Sequence, residues 1–222
     1  MRAILIDWLV EVHLKFKLLP ETLYLTVNLI DRYLSHTQII RSKLQLVGVT
    51  CLLIACKYEE IYPPIVSDVV YITDNAYKAS EILEMEKSIL FTLDFEMHVT
   101  SPYRFFERYC YLTKPTETEV FFAQYMMEGS LVSQAMIKYT PSILAASALY
   151  FAGKMCRNVN IWTRQVQESS LLRESDLRAC AKDLIKEVLN FNMQKNQKLK
   201  AVYNKYSAPK FGCVSLKVPQ NA

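Results

Sequence analysis

Apolar residues recur every three or four positions along most of this chain of 222 residues, and that spacing is typical of amphipathic α-helices. The first half contains five such segments, at residues 1–18, 21–34, 42–58, 66–71 and 79–93. The second half contains five more, at residues 102–111, 116–137, 141–155, 161–167 and 174–193. Prolines and short polar turns separate many of these segments. The sequence therefore predicts an all-α protein built from two five-helix groups.

Two of the predicted helices, 42–58 and 141–155, are apolar enough for each to form the buried axis of a helical bundle. Their residues also match in size when the two segments are superimposed. The matching positions are Leu46, Val47, Gly48, Leu52, Ala55 and Lys57 in the first helix and Ile143, Leu144, Ala145, Leu149, Ala152 and Lys154 in the second. This match favours an internal repeat. We therefore expect an N-terminal domain over residues 1–98, a C-terminal domain over 99–206 and an extended tail over 207–222.

Composition and charge exclude several classes of protein. Apolar residues make up 51% of the chain and charged residues 22%, as in a globular protein. The net charge of +4 is small and the basic residues are interspersed with acidic ones, so we expect no binding to nucleic acid. No apolar run is long enough to cross a membrane, and the six cysteines lack the spacing of a metal site. We expect reduced thiols in a nuclear and cytoplasmic protein that has no cofactor.

The residue types that carry catalysis are scattered along the chain. His13, His36 and His98 are far apart in sequence, and neither a Gly-rich phosphate loop nor a nucleophile motif is present. Glu59 and Glu60 are neighbours, so on a helix their side chains point about 100° apart and do not easily share one substrate atom. The sequence therefore predicts a protein that is not an enzyme.

The segment Lys57–Pro64, with the sequence Lys-Tyr-Glu-Glu-Ile-Tyr-Pro-Pro, is the most informative part of the chain. It places a lysine and two carboxylates at the end of a long apolar helix, which the two prolines then stop. A charged group at a helix end, followed by a segment that two prolines make rigid, suits docking onto another protein. This segment therefore indicates a binding function.

Three motifs of the first half together resemble the cyclin box of a mitotic A/B-type cyclin. They are Met1–Leu9, Leu44–Gly48 and Lys57–Pro64. The second half resembles the C-terminal cyclin fold more loosely, through Tyr139–Ser142 and through the ending from Lys205-Tyr206 to Val214–Leu216. The resemblance implies two tandem five-helix cyclin folds, each with a buried central helix. Both subfamilies share these motifs, and we favour the B-type slightly.

What the family implies is a non-catalytic subunit that binds and activates a cyclin-dependent kinase, as a heterodimer that controls the cell cycle at G2/M. Lys57 and Glu86 would bond to the kinase backbone beside its C-helix, while Tyr58 and Ile61 would pack against that helix. The structural alternative is that Lys57 complements the dipole of its own helix and that Glu86 is simply solvated.

The family also implies a groove that binds substrates or inhibitors carrying an Arg-x-Leu motif. Its residues here would be Met1, Ile4, Leu5, Trp8, Glu11, Leu44 and Gln45. Glu11 would meet the arginine of the ligand; the alternative is that the apolar stripe belongs to the core. Arg2 and Asp31 also match family positions, where they form an internal ion pair, so Asp31→Ala should impair folding before recognition.

Two other functions stay open at this point. A cyclin-fold transcription factor of the general initiation type would share the double helical plan, although it predicts a basic face that this sequence lacks. Family members also carry a helix ahead of the Met1–Leu5 motif, so a truncated cyclin that does not activate its kinase is the second alternative.

Overall fold

The computed structural model describes residues 1–158, 160–193 and 199–218, and the side chains of 190–193 lie outside that description. The chain divides into two compact units, Met1–Val99 and Thr100–Ala222. The helices of the N-terminal unit are α1 (Arg2–Phe16), α2 (Pro20–His36), α3 (Leu44–Glu59), α4 (Val66–Ile72) and α5 (Ala79–Thr92). Those of the C-terminal unit are α6 (Pro102–Thr113), α7 (Glu117–Val132), α8 (Pro141–Met155), α9 (Arg164–Ser170), α10 (Glu174–Met193) and α11 (Ala201–Ser207). The described residues contain no strand, which confirms the all-α prediction.

Helix ends follow from residues that can be read in the sequence. Pro20 and Pro102 occupy the first positions of α2 and α6, where a missing N–H costs nothing. Thr116 caps α7, because its hydroxyl accepts from the Glu119 N–H while the Glu119 carboxylate accepts from the Thr116 N–H. The pattern of short helices with defined ends is therefore encoded locally.

The N-terminal unit is built around α3, whose side chains are buried without interruption from Leu46 to Cys56. Gly48 lets α1 approach closely, because a Cβ at this position would lie 2.7 Å from a Leu5 methyl group. The helix thus forms the axis that the apolar pattern predicts, with α1, α2 and α5 packed around it.

The C-terminal unit is built in the same way around α8. Nearly every residue from Leu144 to Gly153 is buried, and α6, α7 and α10 pack against this helix. Of the positions matched between the two central helices, Leu149 and Ala152 are fully buried and Lys154 is exposed, as Leu52, Ala55 and Lys57 are in α3. Each unit therefore has a buried central helix, as the resemblance implies.

The C-terminal segment is the part of the fold that the sequence pattern predicted wrongly. In place of an extended tail over 207–222, its described part to residue 218 contains 3-10 turns at Pro209–Phe211 and Val214–Lys217. Val214 is fully buried, and the Phe211 ring lies 4.9 Å from the Tyr206 ring. Val214 and the ring contact of Phe211 thus pack this part of the tail onto the C-terminal unit, although Leu216 stays 60% exposed. The last four residues of the predicted tail lie outside the described residues.

Two further boundaries differ from the prediction. The helix predicted over 116–137 ends at Val132, and a separate 3-10 segment, Gln134–Lys138, follows it. The short helix predicted over 161–167 instead begins at Arg164, since Thr163 caps it and Trp162 is buried ahead of it. The seven-residue α11 was not predicted, because a segment of two turns is too short to show clear periodicity.

Candidate protein-docking sites

Lys57 and Glu86, which are far apart in sequence, form an ion pair in the N-terminal unit. The Lys57 Nζ lies 2.6 Å from Oε1 and 2.8 Å from Oε2 of Glu86. Lys57 occupies the last turn of α3 and Glu86 the middle of α5, so the packing of these helices brings the two residues together. The Lys57 side chain is 46% exposed and the Glu86 side chain 12%. An ammonium group has a third N–H, and a carboxylate has further lone pairs, so the pair can still bond to a partner.

Apolar side chains are exposed directly beside this pair. Tyr58 is 50% exposed, and Ile61 and Tyr62, which follow the end of α3, are 84% and 92% exposed. Ile65, just before α4, is 65% exposed. Large apolar side chains that are exposed in one short segment indicate a binding surface. The sequence predicts Tyr58 and Ile61 as docking residues but does not point to Tyr62 and Ile65. Pro63 and Pro64 lie between Tyr62 and Ile65 and exclude a helix that could bury these two side chains.

The exit of α3 is fixed by a contact that the sequence did not predict. Oε1 of Glu60 accepts hydrogen bonds from the Leu19 N–H at 2.7 Å and from the Thr22 hydroxyl at 2.6 Å. At the other end of the segment, the Asp68 carboxylate accepts from the Ile65 N–H at 3.1 Å. The exposed segment between α3 and α4 is therefore attached at both ends.

The residues of the predicted peptide groove divide into exposed and buried positions. Met1 is 56% and Ile4 48% exposed, and Glu11 is exposed on the same helix. Trp8 is half-buried and packs against the core, so only part of its side chain is accessible to a bound peptide. Leu5 is 6% exposed and belongs to the core, because it fills the space above Gly48.

The remaining groove residues come from α3. Leu44 and Gln45 form its first turn and are both half-buried. Leu44 packs against the same apolar cluster as Trp8, so the α1 and α3 parts of the groove share one underlying core. Of the residues predicted for the groove, Met1 and Ile4 are thus the exposed apolar ones.

Arg2 and Asp31 form a bidentate ion pair that joins α1 to α2. Nε of Arg2 lies 2.6 Å from Oδ1 of Asp31, and Nη2 lies 2.8 Å from Oδ2. The two side chains are 17% and 27% exposed, so the pair is largely shielded from solvent. Two parallel N–H···O bonds fix the relative orientation of the helices, which is a structural role.

Reactive and ligand-binding groups are scarce in the described part of the chain. No group of three or more His, Cys, Asp or Glu side chains there could hold a metal ion. Burial raises the pKa of the Cys56 and Cys110 thiols to about 12 and that of Cys180 to about 11. These thiols are therefore protonated at neutral pH and are poor nucleophiles. None of the described helices has the length and apolarity needed to cross a membrane.

Two family models match the chain, one in each unit. The model described as the N-terminal domain of cyclin matches residues 1–98, and the model described as the C-terminal domain of cyclin matches residues 100–220. Together they cover almost the whole chain, and each lies within one of the compact units.

Similar curated proteins are named as A-type and B-type cyclins. The G2/mitotic-specific cyclin-A of Hydra viridissima is 45% identical over 222 residues, and cyclin-B2-1 of Oryza sativa subsp. japonica is 44% identical over 220 residues. Both matches cover 99% of this chain, but 52% and 51% of the relatives. The chain thus spans about half the length of these relatives. An A-type and a B-type cyclin match almost equally well, so the slight preference for the B-type gains no support.

Two solved structures share the fold. A viral cyclin from herpesvirus saimiri has a TM-score of 0.72 and is 23% identical, with 84% of this chain and 85% of that chain covered. A chain of the CAK complex from Chaetomium thermophilum, bound to ATP-gamma-S, has a TM-score of 0.63 and is 17% identical, with 99% and 72% covered. At these identities, the likeness shows the fold alone.

Proposed function

Since this chain belongs to the cyclin family, we propose that it is the non-catalytic subunit of a heterodimer with a cyclin-dependent kinase, which it binds and activates. The similarity to a relative named as a G2/mitotic-specific cyclin supports a role in the control of the cell cycle at G2/M. We place this complex in the nucleus and the cytoplasm, where cell-cycle kinases meet their substrates.

The observation that carries the proposal is the ion pair of Lys57 and Glu86 beside the exposed side chains of Tyr58 and Ile61. The Lys57 side chain is 46% exposed, so its ammonium group stays accessible to a partner, while Glu86, at 12% exposed, holds it in position. As a pair, the two residues offer a charged donor and a charged acceptor in fixed positions. Hydrogen bonds from charged groups to backbone are stronger than neutral ones, and the fixed geometry lowers the entropy lost on binding.

The apolar residues supply the less directional part of the binding energy. Full burial of one isoleucine side chain contributes roughly 1.5–3 kcal/mol, and Ile61 is 84% exposed before binding. A kinase helix that packed on Tyr58 and Ile61 could thus be held by apolar contact while its backbone bonded to Lys57 and Glu86. That division of roles is typical of binding sites with an apolar centre and a few placed polar groups.

Activation follows if the bound state of the kinase is its active state. A protein kinase needs its own lysine to glutamate ion pair, which the position of its C-helix controls. A partner that binds only the active position of that helix shifts the population toward it. A shift from 1:99 to 99:1 needs about 5.5 kcal/mol of differential binding, which an interface of this kind can supply.

We also propose that α1 recruits substrates or inhibitors with an Arg-x-Leu motif. Met1 and Ile4 would contact the leucine, and Glu11 would pair with the arginine. The half-buried Trp8, Leu44 and Gln45 would form the floor and border of the proposed groove.

A direct test is to capture a monomeric cell-cycle kinase with the recombinant chain and then to assay phosphorylation by the captured complex. We expect stable capture and a kinase activity well above that of the kinase alone. Capture without activation would identify a cyclin that binds without activating, and absence of capture would refute the proposed function.

A further inference from the structure

We infer that Glu60 is a positioning residue for kinase recognition, since it holds the exposed segment Ile61–Pro64 in place through the start of α2. This inference rests on the proposed function, because it concerns how the docking surface is presented. The segment needs such an anchor: Ile61 and Tyr62 are 84% and 92% exposed, so their own side chains contribute little packing that would fix them.

The anchor consists of two short hydrogen bonds to one carboxylate oxygen. Oε1 of Glu60 accepts from the Leu19 N–H at 2.7 Å and from the Thr22 hydroxyl at 2.6 Å. Leu19 is the N-cap residue of α2, and its side chain cannot satisfy the N–H groups at that end. Glu60 satisfies the backbone N–H of this N-cap residue from a distance of 41 residues along the chain.

The groups to which Glu60 is attached are themselves fixed. Thr22 is fully buried in α2. Nε2 of His13 donates to the Leu19 carbonyl oxygen at 2.8 Å, and His13 is only 4% exposed at the end of α1. The carboxylate of Glu60 is thus held by the start of α2, which His13 of α1 fixes in turn, while the Glu60 backbone ends α3.

Thr22 anchors Glu60 without lying on the exposed docking surface. Thr22 is 0% exposed, so it cannot touch a docked kinase. Because its hydroxyl donates to Glu60, we expect its effect on kinase affinity to pass through Glu60 and the segment that follows it. Thr26 supplies a matched control, because it is also 0% exposed in α2, but its hydroxyl donates to the Thr22 carbonyl oxygen within the same helix.

The test uses the full chain and two measurements. The first is the rate at which thermolysin, which cleaves ahead of large apolar residues, cuts the Glu60–Ile61 bond. The second is the affinity for a monomeric cell-cycle kinase. Thr22→Val is the principal variant, because it leaves the sequence at the cleavage site unchanged. Glu60→Ala removes both bonds, and Glu60→Gln keeps an oxygen that can accept them.

We expect Thr22→Val to raise the cleavage rate about threefold and to weaken kinase binding about threefold. Glu60→Ala should change each of these two quantities about tenfold in the same direction. Glu60→Gln should restore most of the wild-type behaviour, and Thr26→Val should change neither quantity. In an Ile61→Ala background, Thr22→Val should have a smaller effect on kinase affinity, because the side chain that it positions is gone.

Two results would overturn the inference. Equal changes in the cleavage rate for Thr22→Val and Thr26→Val would show general destabilisation and not the loss of an anchor. Faster cleavage with unchanged kinase affinity would show that the position of the segment does not matter for binding. If the wild-type chain did not bind the kinase, the proposed function would fail, while the cleavage rates would still decide whether Glu60 holds the segment.

Discussion

The Nζ of Lys205 lies 2.6 Å from Oε1 and 2.8 Å from Oε2 of Glu128 inside the C-terminal unit, where the two side chains are 7% and 6% exposed. The Tyr206 hydroxyl donates to the same carboxylate at 2.7 Å. Glu128 belongs to α7 and Lys205 to α11, so this buried pair attaches the short last helix to the body of the unit.

Lys205→Met should destabilise the C-terminal unit strongly. The change leaves the Glu128 carboxylate buried without its cation, and breaking one partner of a buried pair costs about 3–5 kcal/mol. Urea unfolding followed by circular dichroism measures the loss. The double variant Lys205→Met with Glu128→Met should lose less than the single one, because no charge then stays buried alone.

The exposed ion pair of Arg164 and Glu168 supplies the control, since its side chains are 92% and 66% exposed. Arg164→Ala should change the free energy of unfolding by less than about 0.5 kcal/mol. A loss below about 1 kcal/mol for Lys205→Met would mean that the buried pair does not hold α11 in place.

Exchange of the two charges at the docking surface should separate recognition from stability. In the double variant Lys57→Glu with Glu86→Lys, an ion pair can form again, so the melting temperature should stay near that of the wild type. The donor and the acceptor have changed places, however, so under the proposed function each would face the wrong backbone group of the kinase. We expect kinase affinity to fall at least about 100-fold, as for the loss of two charge-assisted bonds.

Lys43 and Glu81 form an ion pair of similar length, 2.7 Å, next to the opposite end of α3. Lys43→Ala should therefore leave kinase affinity unchanged, whereas Lys57→Ala should reduce it. Retention of full affinity by the exchanged variant, with normal melting, would refute the assigned interface.

Gly48→Ala should destabilise the N-terminal unit. The added Cβ would lie 2.7 Å and 3.0 Å from the two Leu5 methyl carbons, and Leu5 is only 6% exposed. Such overpacking typically costs about 1–3 kcal/mol. In a Leu5→Ala background the same change should cost much less, because the competing methyl groups are absent. Thermal unfolding of the four proteins measures this coupling, and additive effects would contradict the close contact.

Much of the fold could be predicted because its signals are local. The apolar segments around Leu52 and Leu149 identify both central helices from the sequence alone, and both residues are fully buried or nearly so. The compact tail could not be predicted in the same way. It follows α11, which Lys205 attaches to Glu128 by a contact across 77 residues that no local pattern encodes.

The candidate site likewise combines residues that a short motif identifies with contacts between residues that are far apart in sequence. Motif residues such as Lys57 and Ile61 could be selected from the sequence, because they stand in one short segment. The same segment identifies Glu60 as a carboxylate at a helix end but not its anchoring contacts, since Leu19 and Thr22 belong to a distant part of the sequence. Leu5 was assigned to a groove because periodicity gives the face of a helix, but not which neighbour covers that face.

Glu11→Gln and Ile4→Ser should weaken phosphorylation of Arg-x-Leu substrates. Both side chains are exposed on α1, so neither change disturbs the core, whereas Trp8→Ala would remove core packing as well. Loss of the charged partner for the arginine should lower kcat/KM for such a substrate by about tenfold. Phosphorylation of a short peptide that lacks the motif should stay unchanged, because it does not use the groove.

Glu84→Gln on α5 is the matched control, because Glu84 is also an exposed glutamate in the same unit but lies outside the groove. It should leave both substrates unaffected. If Glu11→Gln reduced the two substrates equally, the change would act on the kinase and not on substrate capture. If it reduced neither substrate, α1 would not be the docking site, and the exposure of Met1 and Ile4 would need another partner to explain it.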